Sequence, residues 1–510
     1  MIYKLDETYA LIQDDPARLQ KMFDFLKVER DGAYFETLVQ RGIKSPFNYF
    51  SKITDKGLVC YLGHLDMLSK AFGLTIPEDI FDDHSVGFSE EDIDTYYKEL
   101  VDNKVLPFSP YDYQLKAFKG AILGKRQICR MCTSAGKSLT ISLIADFYRT
   151  RGLKGLLVVP NINLLTQFKS DIESYNLMNL YKGVCCLGGG IEIVEDTFNC
   201  DLLITTWQSM MNHKDKLSNF DYLIEDEVHK ESAEVAGDIC RSCNHISRKL
   251  GFTGTLPEDK VHVMELLGLF GKVKTYITAR ELIDRGLGTP IKINTIFFEY
   301  DRDIKNFIRN EKAYPKILQH IKEYEPRNDF IVKLLLKLRN KNENSLCLYQ
   351  HTEHGKELFR KVMKALYPDV EVENKDITGK KSFEFQQKYH VYFINGEDDA
   401  KTREHTRLAL EKDFDAVLVA PYALLSTGVN IRRLHNLVMA SPLKAYTTIT
   451  QSLGRGMRLH KDKKEFNVYD LVDDIGFRYH TGVFCKSYNH RLSTSYVREE
   501  YPVKEFDVKI

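Results

Sequence analysis

The 510-residue chain has no net charge, because lysine plus arginine and aspartate plus glutamate both number 72. A global basic field is therefore excluded, and any nucleic acid has to be held by local grooves. No run of about eighteen apolar residues occurs, and the opening MIYKLDETYALIQDD lacks a basic start followed by an apolar stretch. The expectation is a cytoplasmic protein with no membrane segment. The ten cysteines are scattered. Cys240-Arg-Ser-Cys243 with His245 would be half a zinc site, and Cys185, Cys186 and Cys200 match no cluster spacing, so all read as reduced thiols rather than metal ligands. A nuclease signature is also missing. What remains is an ordinary globular composition, 43% hydrophobic and 28% charged, enough to fill the cores of two or three domains.

From Tyr111 onward, short apolar strands alternate with helices. Five strand-type runs, QICRM (127–131), GLLVVP (155–160), DLLITT (201–206), DYLIED (221–226) and KLGFTG (249–254), make one unit. Five more, SLCLYQ (345–350), YHVYFI (389–394), DAVLVA (415–420), NLVMAS (436–441) and FNVYDL (466–471), make another. This alternation predicts an α/β protein with two tandem doubly wound parallel-sheet lobes, and hence a cleft between them. The stretch before it, with helices expected over Pro16–Leu26 and His64–Phe72, reads as a small separate α+β domain, joined through a linker at Leu106–Pro110. The expected divisions are 1–106, 107–300, 301–478 and a tail or helical extension over 479–510. Residues 368–388 form a long insertion whose Thr378-Gly379-Lys380-Lys381 tip is compatible with a basic hairpin or a solvated loop.

Residues 131–138, MCTSAGKS, end as a phosphate-binding loop must, although Met131 stands where its first glycine is expected. Such a loop needs small residues so that the backbone N–H groups of Thr133, Ser134, Ala135 and Gly136 can face phosphate. Lys137 would reach the β/γ-phosphates and the Ser138 hydroxyl would ligate Mg²⁺. The strand before it and the helical LTISLIADFY (139–148) after it supply the required context. Asp226-Glu227-Val228-His229 closes the strand DYLIED, where parallel sheets present ligand groups. Asp226 is placed to hold Mg²⁺, and Glu227 to orient or deprotonate the attacking water. Arg455 and Arg458, three apart in QSLGRGMR, carry planar charge suited to a transferring phosphoryl group.

Together these motifs resemble the superfamily-two helicases over residues 107–475. Tyr113-Gln114 is similar to that family's adenine-reading motif, VVPNINLLTQF (158–168) and ITTWQSM (204–210) to its strand-gripping motifs, and Thr253-Gly254-Thr255 to its coupling motif. In the second unit LYQHTEHG (348–355), LLSTGVNI (424–431) with Gly428, and QSLGRGMR with Gln451 complete the order. TSAGKS, Thr-Trp-Gln, Arg327-Asn328, STGVNI and the aromatic pattern of the N-terminal region resemble the phage UvsW-type helicases in particular. The resemblance implies RecA-like lobes, use of ATP and Mg²⁺, and a catalytic set that includes His229 with Lys137, Asp226, Glu227, Gln451, Arg455 and Arg458. It also implies strand contacts by Asn161, Gln167, Thr206, Gln208, His351, Thr352 and Thr427, whereas Trp207 reads as packing. The expected activity is ATP-dependent unwinding or branch migration of branched DNA by a monomer with a small DNA-binding N-terminal domain, alongside replication or recombination proteins, in a host cytoplasm if phage-encoded. An RNA helicase, or a nucleic-acid-dependent ATPase that remodels without unwinding, shares the same motifs.

Overall fold

Strands buried on both faces pair in parallel only when helices cover both sides of the sheet, and both expected units are built this way. The computed structural model describes residues 1–510 except 32, 34–35, 37–43, 82–86, 178–182, 192, 231–232, 312, 379–381, 427–430, 442–452, 455 and 477–482, nor does it describe the side chains of 195, 233–236, 309, 400 and 425–426. The first sheet has seven parallel strands, in the order Val273–Ile277, Arg126–Met131, Arg248–Thr253, Tyr222–Asp226, Gly155–Val159, Leu202–Thr206, Val184–Leu187. The strands that lead into MCTSAGKS, Thr253-Gly254-Thr255 and Asp226-Glu227-Val228-His229 are thus three consecutive neighbours, and their C-terminal ends lie side by side. The second sheet, also seven-stranded and parallel, runs Val391–Phe393, Val417–Pro421, Ser345–Tyr349, Asn436–Met439, Phe466–Asp474, Ile291–Glu299, Val503–Lys509. No helix among the described residues is long and apolar enough to cross a membrane.

Three sequence-based divisions need correction. The chain forms two compact units, Met1–Ile277 and Thr278–Ile510. The boundary drawn at 300 is wrong because Ile291–Glu299 pairs along its whole length with Phe466–Asp474 in the second sheet. Residues 479–510 are not merely a tail: the helix Val483–Arg491 leads to Val503–Lys509, which closes that sheet's edge on Ile291–Glu299. The described residues of the stretch 368–388 form no β-hairpin. The stretch contains the helices Asn374–Ile377 and Ser382–Tyr389, and its Gly379–Lys381 tip lies outside the described residues.

The third correction concerns the N-terminal domain, which is a four-stranded antiparallel sheet in the order Ile2–Lys4, Tyr9–Ile12, Gly57–Tyr61, Ser51–Thr54. The helix Pro16–Phe25 packs on it, started by Asp15 accepting from the N–H groups of Ala17 and Arg18 with proline at its first turn. This domain is not separate from the motor unit. Its core of Ala10, Ile12, Leu58, Leu65 and Leu68 continues into Val261 and Met264 of the helix Lys260–Phe270. His64 Nε2 bonds the Met264 carbonyl at 2.8 Å, with the ring buried. Gly63 is required there, since a Cβ would lie 2.1 Å from the Leu267 carbonyl oxygen. Deeper in, the fully buried Lys249 donates to Thr8 Oγ1 and to the Cys240 carbonyl, both at 2.9 Å. Arg126 donates to the carbonyls of Glu7 and Leu269. The helix Glu90–Asp102 is fixed in the same unit, with Tyr96 donating to buried Asp146 at 2.6 Å.

Candidate nucleotide and nucleic-acid site

Met131 does not obstruct the phosphate loop, because it is the last residue of the preceding strand, fully buried and paired with Ile277. The turn itself needs left-handed backbone twice, at Ser134 (φ 71°) and Gly136 (φ 79°). Glycine is demanded at 136 for a second reason: a Cβ would sit 2.2 Å from Gln114 Nε2. Gln114 is buried against this loop, donating to the Ala135 carbonyl at 2.9 Å and accepting from the Tyr111 N–H at 2.8 Å. The helix Lys137–Arg149 begins directly after the turn, so its unpaired N–H groups and positive dipole end face outward beside the Lys137 ammonium. Thr133, Ser134 and Ser138 are half-buried at this turn and Ala135 is buried.

Lys137 Nζ lies 3.2 Å from Glu227 Oε1. Burial opposes its charge, but Glu227 and Asp226 outweigh that penalty and hold its pKa above the ordinary lysine value. Burial would likewise raise Glu227, yet Lys137, His229 and Lys230 hold it well below the carboxylate range. Asp226, buried beside the Glu227 charge, is pushed up instead. Its Oδ1 accepts from the Glu227 N–H at 2.9 Å, and Glu227 turns the chain in left-handed conformation (φ 55°). The three groups thus form a charge cluster that is short of cations, and binding a cation there would relieve Asp226. Asp226 and the Ser138 hydroxyl are an all-oxygen donor pair, which suits a hard cation that keeps most of its waters, as Mg²⁺ does.

His229 connects this turn to the neighbouring strand. Burial lowers its pKa to about 4, so it is neutral near pH 7. Its Nδ1 is 2.7 Å from Thr253 Oγ1 and 3.3 Å from Glu227 Oε2. The Thr253 hydroxyl donates to the Thr255 carbonyl, so the proton shared between His229 and Thr253 belongs to Nδ1. Gly254 closes the ring, for a Cβ there would come within 3.3 Å of Thr133 N and Oγ1. MCTSAGKS, the Asp226–His229 turn and Thr253–Thr255 therefore touch one another in a continuous cycle.

The proposed strand-contact residues are placed less uniformly. Asn161 caps the helix Ile162–Ser174, accepting from the Leu164 N–H at 3.0 Å. Thr206 caps Trp207–Met211 and is buried against Ser209, whereas Gln208 is exposed and Gln167 half-buried. Trp207 packs at the edge of the first core. In the second unit His351 and Thr352 are exposed at the start of the helix Thr352–Leu366. Arg327 and Asn328 are structural there: Arg327 makes a buried pair with Asp473 (Nε–Oδ1 2.7 Å), and Asn328 Oδ1 bonds His354 Nε2 at 3.1 Å. Arg458 is half-buried and its carbonyl accepts from Thr289 at 3.0 Å. Gln451, Arg455, Thr427 and Gly428 lie outside the described residues.

Two features escaped the sequence reading. Tyr113 is buried, and the ring that faces solvent is Tyr111, 46% exposed and stacked on Tyr113 at 5.6 Å. The run Gly188-Gly189-Gly190, with φ of 140°, 65° and 79°, turns against both strand-contact helices. A Cβ on Gly188 would be 3.0 Å from Ser209 Oγ, and one on Gly189 2.9 Å from Ile162. Three consecutive glycines after a strand were the available signal.

Comparison with known proteins agrees with this arrangement. Residues 107–258 match the family described as "Type III restriction enzyme, res subunit". The chain is 28% identical over 495 residues to "ATP-dependent DNA helicase uvsW" of Enterobacteria phage T4, covering 95% of this chain and 93% of that one. It is 29% identical over 209 residues to "DNA 3'-5' translocase XPB2" of Sulfurisphaera tokodaii, covering 38% and 45% of the two chains. A fragment structure of a putative HsdR subunit of a type I restriction enzyme from Vibrio vulnificus YJ016 shares the fold, with TM-score 0.56 and 18% identity over 83% of this chain and 72% of that one.

Proposed function

We propose that this chain, a superfamily-two ATP-dependent DNA helicase similar along nearly its whole length to the phage T4 UvsW helicase, spends ATP to unwind or branch-migrate branched DNA in replication, recombination or repair. The observation that carries the reading is the closed cycle of phosphate loop, acidic turn and Thr253–Thr255, with Lys137 and Glu227 3.2 Å apart at its centre. In this proposal Lys137 moves from Glu227 to the β/γ-phosphates when nucleotide arrives, which frees Glu227 to take a proton from water. Departure of Lys137 removes the charge that most depresses Glu227, so burial can raise its basicity towards what that role needs. Asp226 and Ser138 would hold Mg²⁺, which supplies charge neutralisation at the β/γ oxygens. His229 keeps Glu227 and Thr253 in register, while Gln451, Arg455 and Arg458 are proposed to meet the charge of the transferring group. DNA would be held by its phosphates through helix starts and amides at Asn161, Gln167, Thr206, Gln208, His351, Thr352 and Thr427, with Gly188–Gly190 added here. Both parallel sheets lie in one chain, which supports action as a monomer.

The test is ATPase stimulation by single-stranded DNA, duplex, fork, four-way junction and RNA side by side. Forks and junctions should stimulate most; RNA equal to or above DNA would overturn the reading. Gln114 and exposed Tyr111 are proposed to read adenine, by amide pairing and ring stacking respectively. Gln114 also braces Ala135, so Gln114→Ala should raise KM for ATP and loosen the loop together. Equal use of GTP and ATP by the unaltered protein would remove the adenine role and leave only the brace.

A further inference from the structure

Lys463 is buried, and its ammonium donates to two backbone carbonyls, those of Gly456 at 2.9 Å and Arg432 at 3.0 Å. Neutral carbonyls compensate a buried charge less well than a carboxylate does, and burial pushes the Lys463 pKa down to about 8. The two acceptors stand at telling places in the chain: Gly456 lies between Arg455 and Arg458 in QSLGRGMR, and Arg432 directly follows LLSTGVNI. Arg432 is fixed from its other side as well, its N–H given to Glu411 Oε1 at 2.6 Å. Only glycine fits at 456, because a Cβ there would lie 2.0 Å from the Phe466 ring. The next two carbonyls of the segment are held by buried Thr289, whose N–H donates to Met457 at 2.7 Å and whose hydroxyl donates to Arg458 at 3.0 Å. The carbonyls of Gly456, Met457 and Arg458 are thus each taken by a donor from outside the segment. A clamp of this kind matters for an arginine because the long side chain can meet a developing charge in one geometry only if the backbone beneath it does not shift.

We infer that Lys463 and Thr289 are positioning residues for ATP hydrolysis: by holding the carbonyls of Gly456, Met457 and Arg458 they set the backbone that presents Arg458 to the transferring phosphoryl group. The inference rests on the ATPase reading above. Lys463 also joins that backbone to the peptide after LLSTGVNI, so the segment proposed to hold the DNA strand and the segment proposed to meet the phosphoryl charge share one ammonium.

The experiment uses the full chain with Lys463→Met, which keeps the apolar stem and removes the ammonium, with Thr289→Val, which keeps the shape and removes the hydroxyl, and with Thr289→Ser, which retains it. Turnover and KM for ATP are measured with saturating single-stranded DNA, and Tm is measured alongside. Loss of the donors should lower kcat about tenfold in Lys463→Met and somewhat less in Thr289→Val, with KM unchanged in both. Thr289→Ser should stay close to the unaltered kcat. A merely structural role would lower Tm and leave kcat of the folded protein where it is. Unchanged kcat in Lys463→Met or Thr289→Val, a loss carried by KM instead, or Thr289→Ser no better than Thr289→Val overturns the inference; should Lys463→Met not fold, the Thr289 pair alone decides. Absence of DNA-stimulated hydrolysis in the unaltered protein would instead defeat the ATPase reading itself.

Discussion

Glu227→Gln is expected to retain ATP binding and to lose DNA-stimulated hydrolysis, by about 10²- to 10⁴-fold, the usual worth of a positioned general base. The substitution is nearly isosteric, and glutamine tolerates the left-handed backbone at this position about as well as glutamate, so the fold has little reason to change. What disappears is the charge that Lys137 and Lys230 hold in place. Lys137→Ala should fail differently. It removes the ammonium that would face the β/γ-phosphates and leaves Glu227 buried with less compensation, so affinity for nucleotide should fall together with turnover. The decisive measurement is a pair of titrations, fluorescent-nucleotide binding and steady-state ATPase, on both variants. Turnover within threefold of the unaltered protein in Glu227→Gln would remove Glu227 from its proposed role, and unimpaired nucleotide binding in Lys137→Ala would do the same for the phosphate loop.

The parts of this site that were legible in the sequence are those whose physics is local. MCTSAGKS between a strand and a helix, and an acidic pair at the end of an apolar strand, state their chemistry within a few residues. Buried central strands were equally plain, since Gly155–Val159 and Tyr222–Asp226 are apolar runs covered on both faces. The strands that went unread are mostly at or near sheet edges, where one flank is open and the pattern dilutes. Val503–Lys509, with sequence VKEFDVK and mostly exposed side chains, looks like a solvated tail until its register with Ile291–Glu299 is known. Lys249 misleads in the opposite sense: a lysine that opens a strand suggests solvent, yet it is fully buried because Thr8, 241 residues away, supplies an acceptor. Contacts of that sequence separation leave no periodicity to detect.

Deleting residues 1–86 is expected to cost the protein its first motor unit, not merely a DNA-binding accessory. A small separate domain joined through a linker, as the sequence analysis expects, would be dispensable for hydrolysis on single-stranded DNA. The structure argues otherwise, since the deletion uncovers Val261 and Met264, strips His64 from the Met264 carbonyl, and takes Thr8 from Lys249 and the Glu7 carbonyl from Arg126. Burial already presses the Lys249 pKa downward, so its ammonium has little tolerance for losing an acceptor. Each orphaned buried donor costs roughly 1–3 kcal/mol, and the exposed apolar face adds to that, against a typical total stability of only about 5–15 kcal/mol. The strands that would be left strained are Arg126–Met131 and Arg248–Thr253, which carry the phosphate loop and Thr253-Gly254-Thr255. Loss of the domain should therefore appear as a lower Tm or insolubility together with loss of ATPase on single-stranded DNA. Thr8→Val provides the graded version: it withdraws one acceptor from Lys249 without removing the domain, and should lower Tm while leaving kcat close to normal. Thermal melting, limited proteolysis and single-strand ATPase on both proteins decide the matter. A soluble deletion protein with unchanged Tm and full kcat would restore the domain to the status of a tethered module.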